Sequence, residues 1–162
     1  MIQSNIGMQK NNVIVPNKIL IGEVRNALDA GKSAMIRVKG HSMRLFLKSE
    51  RDIVKLVKVS PSDVRINDVI LAETAPEIYV LHRVIKREGA KLTLMGDGNI
   101  KGTETCTEDR IVGKVTEFYR KGRVKPDSID GLKWRAYTKI WLIIKPLRRY
   151  ILGIVRRLNL SI

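Results

Sequence analysis

A hydroxyl, an imidazole and a carboxylate occur in order along one stretch of this chain. Ser42 ends the run Gly40-His41-Ser42, His82 lies inside Tyr79-Val80-Leu81-His82-Arg83-Val84-Ile85, and Asp97 lies inside Met95-Gly96-Asp97-Gly98-Asn99. A serine hydroxyl is a weak nucleophile until a neighbouring base takes its proton, and histidine, with an ordinary pKa of about 6.5, is the usual base near neutral pH. A carboxylate can hold the imidazole tautomer and stabilise imidazolium as it forms. Gly40 permits close backbone approach, and the Ser42 backbone amide is a candidate oxyanion donor. The chemistry implied is acyl transfer to Ser42. His41 adjoins the serine, but successive residues of extended chain point to opposite faces, so His82 is the expected base.

These residues need a rigid frame, and the sequence supplies strand-like segments. Met35–Lys39, Asp52–Val59, Asp68–Glu73, Ile78–Arg87, Lys91–Met95 and Ile111–Tyr119 are short, β-branched and often alternating. Turn material such as Ser60-Pro61-Ser62-Asp63, Ala75-Pro76 and Glu88-Gly89-Ala90 separates them. Several strands without intervening helices predict an antiparallel, partly closed β-structure. Ahead of them, Leu20, Val24, Ala27 and Leu28 share one helical face, with Gly31 as the cap. Beyond them, Trp134, Tyr137, Ile140, Trp141, Ile144 and Leu147 recur at helical spacing, and Pro146 is expected to kink or divide that helix. The predicted organisation is a lead-in at 1–16, a strand-rich domain with its N-terminal helix at 17–122, a linker at 123–130 and a basic amphipathic helical tail at 131–162.

Composition narrows the function. The chain has 162 residues, 44% of them apolar, enough for one core-forming domain. Cys106 is the single cysteine, so no intrachain disulfide forms. With only His41 and His82 beside it, a Cys/His zinc site is not expected. Cys106 reads as a small buried side chain. The net charge is +15, and the segment from Gly131 to the end contributes Lys133, Arg135, Lys139, Lys145, Arg148, Arg149, Arg156 and Arg157 with no acidic residue. Such a tail implies a polyanionic neighbour. No apolar run approaches the length that spans a bilayer, and the first residues lack a secretory apolar core. Trp134 and Trp141 suit a headgroup region, so they are expected, with Lys139, Lys145, Arg148, Arg149, Arg156 and Arg157, to lie on an anionic membrane surface. Nucleic acid is the weaker partner, because no reading motif accompanies the charge.

Gly40-x-Ser42-Met43, His82-Arg83-Val84-Ile85 and Gly96-Asp97-Gly98-Asn99 together resemble the signature of signal peptidases and LexA-type serine peptidases. The resemblance is nearest to the archaeal and endoplasmic-reticulum-type signal peptidases, in which histidine serves as the base. It covers roughly 35–115, including Asn67-Asp68-Val69-Ile70 and Ile111-Val112-Gly113-Lys114-Val115. It implies a mainly β (α+β) LexA/signal-peptidase-like fold, flanked here by the N-terminal helix and the basic C-terminal helix. It also implies endoproteolysis, often after small residues at the first and third positions before the cut. By motif position Ser42 is the nucleophile, His82 the base and Asp97 the family carboxylate. A second acidic residue is expected nearby, for which Glu104 and Asp109 are the candidates. The chain departs from the pattern at Leu45, where proline is expected, at Asn67, where glycine is usual, and in lacking the N-terminal membrane anchor.

The expected function is therefore cleavage of signal or leader peptides by a Ser/His mechanism, with no metal or organic cofactor. The expected location is cytoplasmic, peripheral at the inner face of the membrane. Two alternatives stand beside it: a catalytically silent peptide-binding module of the same fold, and a LexA-like DNA-associated regulator.

Overall fold

In the computed structural model, which describes residues 3–4, 17–44, 46–123, 125–143, 147, 150, 151 and 153, helix α1 covers Asn17–Asp29. Leu20, Ile21, Val24 and Leu28 are buried along one side of it, the face that the apolar spacing demands. It ends in a Schellman motif. Gly31 adopts φ 72°, its amide donates to Leu28 O at 3.0 Å, and the Lys32 amide donates to Ala27 O at 3.0 Å.

Nine strands follow the pleat of a single antiparallel sheet among the described residues: β1 Gln3–Ser4, β2 Ala34–Arg37, β3 Ile53–Val57, β4 Val69–Ala75, β5 Ile78–Glu88, β6 Lys91–Met95, β7 Glu104–Thr107, β8 Ile111–Tyr119 and β9 Asp127–Ser128. Their order is β1-β2-β3-β8-β4-β5-β6-β7, with β9 added on β8. All six strands expected from the sequence are present. The sheet, however, does not close, since β1 and β7 are the two ends of the path. β4 and β5 pair with Ile70 opposite His82, and β5 and β6 pair from Arg83 opposite Met95 to Glu88 opposite Lys91.

Strand β4 separates two cores. Its residues 69–72 are all buried, and alternate side chains point opposite ways. Val69 and Leu71 join Ile21, Leu28, Ile36, Val54, Val115 and Phe118 on one side. Ile70 and Ala72 join Val84, Leu92, Leu94 and Cys106 on the other. Burial pushes the Cys106 thiol above its ordinary pKa, so it packs as a small apolar group.

The end of the chain is arranged differently from the sequence expectation. Part of the predicted linker is strand β9, and the Asp127 carboxylate there meets Arg120 at 3.3 Å and Lys133 at 3.1 Å. Helix α2, Leu132–Ile143, packs on the first core through an aromatic face. Trp134 lies 4.4 Å from the Phe46 ring and 4.5 Å from that of Phe118, centroid to centroid, and Tyr137 stacks on Trp141 at 6.0 Å. Such pairs contribute about 0.5–1.5 kcal/mol each beyond burial. Trp134 and Trp141 are therefore interior residues, contrary to the expectation that they lie on a membrane. Lys139 is exposed. Lys145, Arg148, Arg149, Arg156 and Arg157, together with Pro146, lie outside the described residues.

Candidate active site

Ser42 sits on the turn that leaves β2. The turn is held at both ends: Gly40 donates its amide to Ser49 Oγ at 3.0 Å, and Arg44 donates to His41 O at 3.1 Å. Gly40 has φ 99°, a conformation that a side chain would strain, while a Cβ there would meet nothing within 4 Å. The glycine is needed for its backbone angle, and the expected close approach occurs elsewhere, at the loop after β6.

That loop, Gly96-Asp97-Gly98-Asn99, backs the serine. The Gly98 amide donates to Ser42 O at 2.6 Å. A Cβ on Gly96 would stand 2.4 Å from Ser42 O, 2.9 Å from Ser42 Cβ and 3.0 Å from His82 Nε2. One on Gly98 would stand 2.5 Å from His41 O. Two glycines are thus required by contact, and the space at Gly96 is bounded by the predicted nucleophile and the predicted base together. Ser42 and His82 also line one hollow of about 110 Å³, walled by Ile36, Val38, Tyr79 and Leu81. The half-buried serine and the buried histidine therefore border the same hollow. His41 is exposed.

The carboxylate against the histidine is Glu104. His82 Nδ1 lies 2.9 Å from Glu104 Oε2. With the carboxylate ionised it only accepts, so Nδ1 donates its hydrogen and Nε2 keeps the lone pair that a general base needs. Strand register explains the meeting. Val84, Leu94 and Glu104 form one row across β5, β6 and β7, and His82 is two residues along β5 from Val84, on the same face. Pairing with β6 begins only at Arg83, so no β6 side chain stands between.

Asp97 has another partner. Arg83 Nε and Nη2 donate to its two oxygens at 2.8 and 2.6 Å, and Tyr137 Oη donates to Oδ2 at 3.2 Å. Both members of the pair are about 1% exposed. Arg83 also donates to Asn67 O at 2.9 Å and lies with its guanidinium 4.7 Å from the Trp134 ring centre. His82 and Arg83 are consecutive on a strand, so they face opposite ways, and the Asp97 side chain is on the Arg83 side. The expectation that Asp97 orients His82 is corrected for this reason. Its charge instead neutralises Arg83 and fixes the loop that supports Ser42. Asp109 is the exposed residue of a 3₁₀ turn at Glu108–Arg110, where a hydrogen bond from the Thr107 side chain holds its carboxyl below the usual range.

No family model matches the chain, and no curated protein does.

The arrangement is thus defined by its own geometry: a serine on a glycine-backed turn, a buried histidine, and a carboxylate on the far ring nitrogen. The Ser42 amide, the expected oxyanion donor, is on the same turn. Arg83, Tyr137 and Gly98 were not singled out for these roles by sequence reasoning. Gly98 could have been flagged by its place in a glycine-flanked loop; the Arg83–Asp97–Tyr137 contact joins three elements and leaves no local signal. Leu45 is outside the described residues. Asn67 has φ 79°, a left-handed conformation that asparagine tolerates better than most residues.

Proposed function

We propose that this protein is a serine endopeptidase of the signal-peptidase type, cleaving signal or leader peptides with Ser42 as nucleophile and His82 as general base. One observation carries the reading: a Cβ added at Gly96 would stand 2.9 Å from Ser42 Cβ and 3.0 Å from His82 Nε2, so both residues border one spot, while Glu104 holds the other ring nitrogen. Ser42 Oγ attacks the scissile carbonyl and passes its proton to His82 Nε2. His82 then gives that proton to the leaving amine, and water, deprotonated by the same nitrogen, hydrolyses the acyl-enzyme. Glu104 stabilises the imidazolium in both halves.

The open antiparallel sheet and the asparagine that replaces glycine at a positive φ are compatible with the LexA/signal-peptidase-like fold that the motifs resemble. The substrate would lie extended beside the first half of β5. Among the described residues, 79–81 of β5 pair only with β4, so an added backbone strand fits there. No helix among the described residues is long and apolar enough to cross a membrane. With a net charge of +15, a peripheral place at the inner face of a membrane accompanies the proposal.

A peptide library is incubated with the wild type and with Ser42→Ala, and a serine-acylating β-lactam-type or lipopeptide probe is applied to both. Cleavage and labelling by the wild type alone are expected. Equal cleavage by both proteins would end the assignment. Peptide binding without cleavage or labelling would leave the silent binding module, and salt-sensitive duplex binding with neither would favour the DNA-associated regulator.

A further inference from the structure

Helix α2 has two apolar faces, and one of them packs on the first core. Trp134, Tyr137 and Trp141 point inward onto the first core. On the opposite side Leu132, Ala136, Ile140 and Ile143 are exposed. Its large residues, Leu132, Ile140 and Ile143, are between 58% and 84% exposed. At 3.6 residues per turn the positions 132, 136, 140 and 143 trace one narrow stripe. Elsewhere the exposed large apolar residues are scattered singly over other elements, as at Ile19, Ile66 and Ile78, which is ordinary. A continuous stripe on one helix is not ordinary.

Two occupants suit such a stripe. Its steps of four and three residues would suit a coiled-coil seam with a second copy. The charges beside it argue against that partner. Lys133, Arg135 and Lys139 are exposed on the same helix, and no acidic residue occurs from Gly131 to the end of the chain. Paired copies would set cations against cations. An anionic bilayer reverses the sign: the apolar stripe enters the acyl boundary, and the flanking cations reach lipid phosphates. Arg135 and Lys139 have no carboxylate partner among the described residues to give up.

We infer that the outward stripe of α2, Leu132, Ala136, Ile140 and Ile143, docks the protein on an anionic bilayer. The inference gives a surface to the peripheral placement proposed above, on which it rests, and is independent of the catalytic role of Ser42. It also assigns α2 an orientation in which the tryptophans face the protein and aliphatic side chains face the lipid.

The test uses the full chain and its Ile140→Asp/Ile143→Asp double variant. Each is sedimented with vesicles of phosphatidylcholine and phosphatidylglycerol in equal parts, and with vesicles of phosphatidylcholine alone. The wild type is expected to bind the anionic vesicles and release as salt rises, and the double variant to bind at least about tenfold more weakly. Both substitutions fall on exposed positions, so unfolding temperature and cleavage of a short soluble peptide should be unchanged. Tryptophan emission should not shift on binding. Equal binding by the double variant, absence of wild-type binding, a lipid-induced tryptophan shift, or a wild-type dimer that the double variant dissociates would each overturn the inference. Loss of peptide cleavage in both proteins with normal vesicle binding would count against the peptidase reading and leave the docking surface standing.

Discussion

Glu104 Oε2 stands 2.9 Å from His82 Nδ1, while Asp97, the more conspicuous carboxylate in the sequence, is bound on the opposite face of the strand by Arg83. The two acids have separable tasks. Glu104→Gln should keep the fold and lower kcat about 10²- to 10⁴-fold, the range of general acid–base contributions, with a much smaller change in KM. Steady-state kinetics on a cleaved peptide checks this. An unchanged kcat would remove Glu104 from the mechanism.

Asp97→Ala should act through stability. The substitution leaves the Arg83 guanidinium buried and uncompensated, at a cost of about 3–5 kcal/mol. Urea unfolding measures it. Replacing both residues together, Arg83→Met with Asp97→Leu, should recover part of that loss, because no charge is then stranded. A double variant no more stable than the single one would show that the pair matters for more than its charge balance.

Glycine positions give a contrast inside one protein. A methyl group at Gly96 would collide with Ser42 and His82, so Gly96→Ala should abolish cleavage. Gly22, on α1, has nothing within 4 Å of its added Cβ, and Gly22→Ala should stabilise the helix by about 0.5–1 kcal/mol without touching activity. Parallel assays of thermal unfolding and turnover separate the two effects.

Stability should also fall on acidification through the β3–β8 pair. The Tyr119 hydroxyl, and then Lys55 at 3.0 Å, hold the Glu117 carboxyl below its usual range. A depressed acid contributes fully above its unfolded-state pKa and loses that contribution as pH falls through the folded-state value. Tyr119 is raised, chiefly by its hydrogen bond to Glu117. Its contribution is full below the ordinary tyrosine range and is lost as pH rises through the raised value. The urea midpoint of Glu117→Gln should therefore depend less on pH than that of the wild type between about pH 7 and about pH 3. Identical slopes would exclude the pair as a source of acid sensitivity.

The strands were legible because alternation and turn residues coincide, as in Ile78–Glu88 and Lys91–Met95. Strand β7 was not, since Glu-Thr-Cys-Thr offers one buried side chain in four. Yet β7 brings Glu104 to His82. Serine and histidine could be named from their patterns, whereas the choice of carboxylate depends on which face each strand residue takes, a property of register across three strands. Helix α2 posed a similar difficulty. Its sequence has two apolar arcs, and periodicity alone does not say whether the aromatic one or the aliphatic one meets the core. Phe46 and Phe118 decide it by offering the aromatic side matching rings.

The hydrogen bond from the Gly98 amide to Ser42 O has a consequence for synthesis. The turn that carries the nucleophile is completed by residues more than fifty positions later, so a nascent chain can display Ser42 long before it can use it. Formation of this site waits for non-local pairing, the slow class of folding event. If Ser42 acts as proposed, a ribosome-bound fragment ending before Gly98 should be inert toward acylating probes, because the turn carrying it is not yet held by the loop after β6.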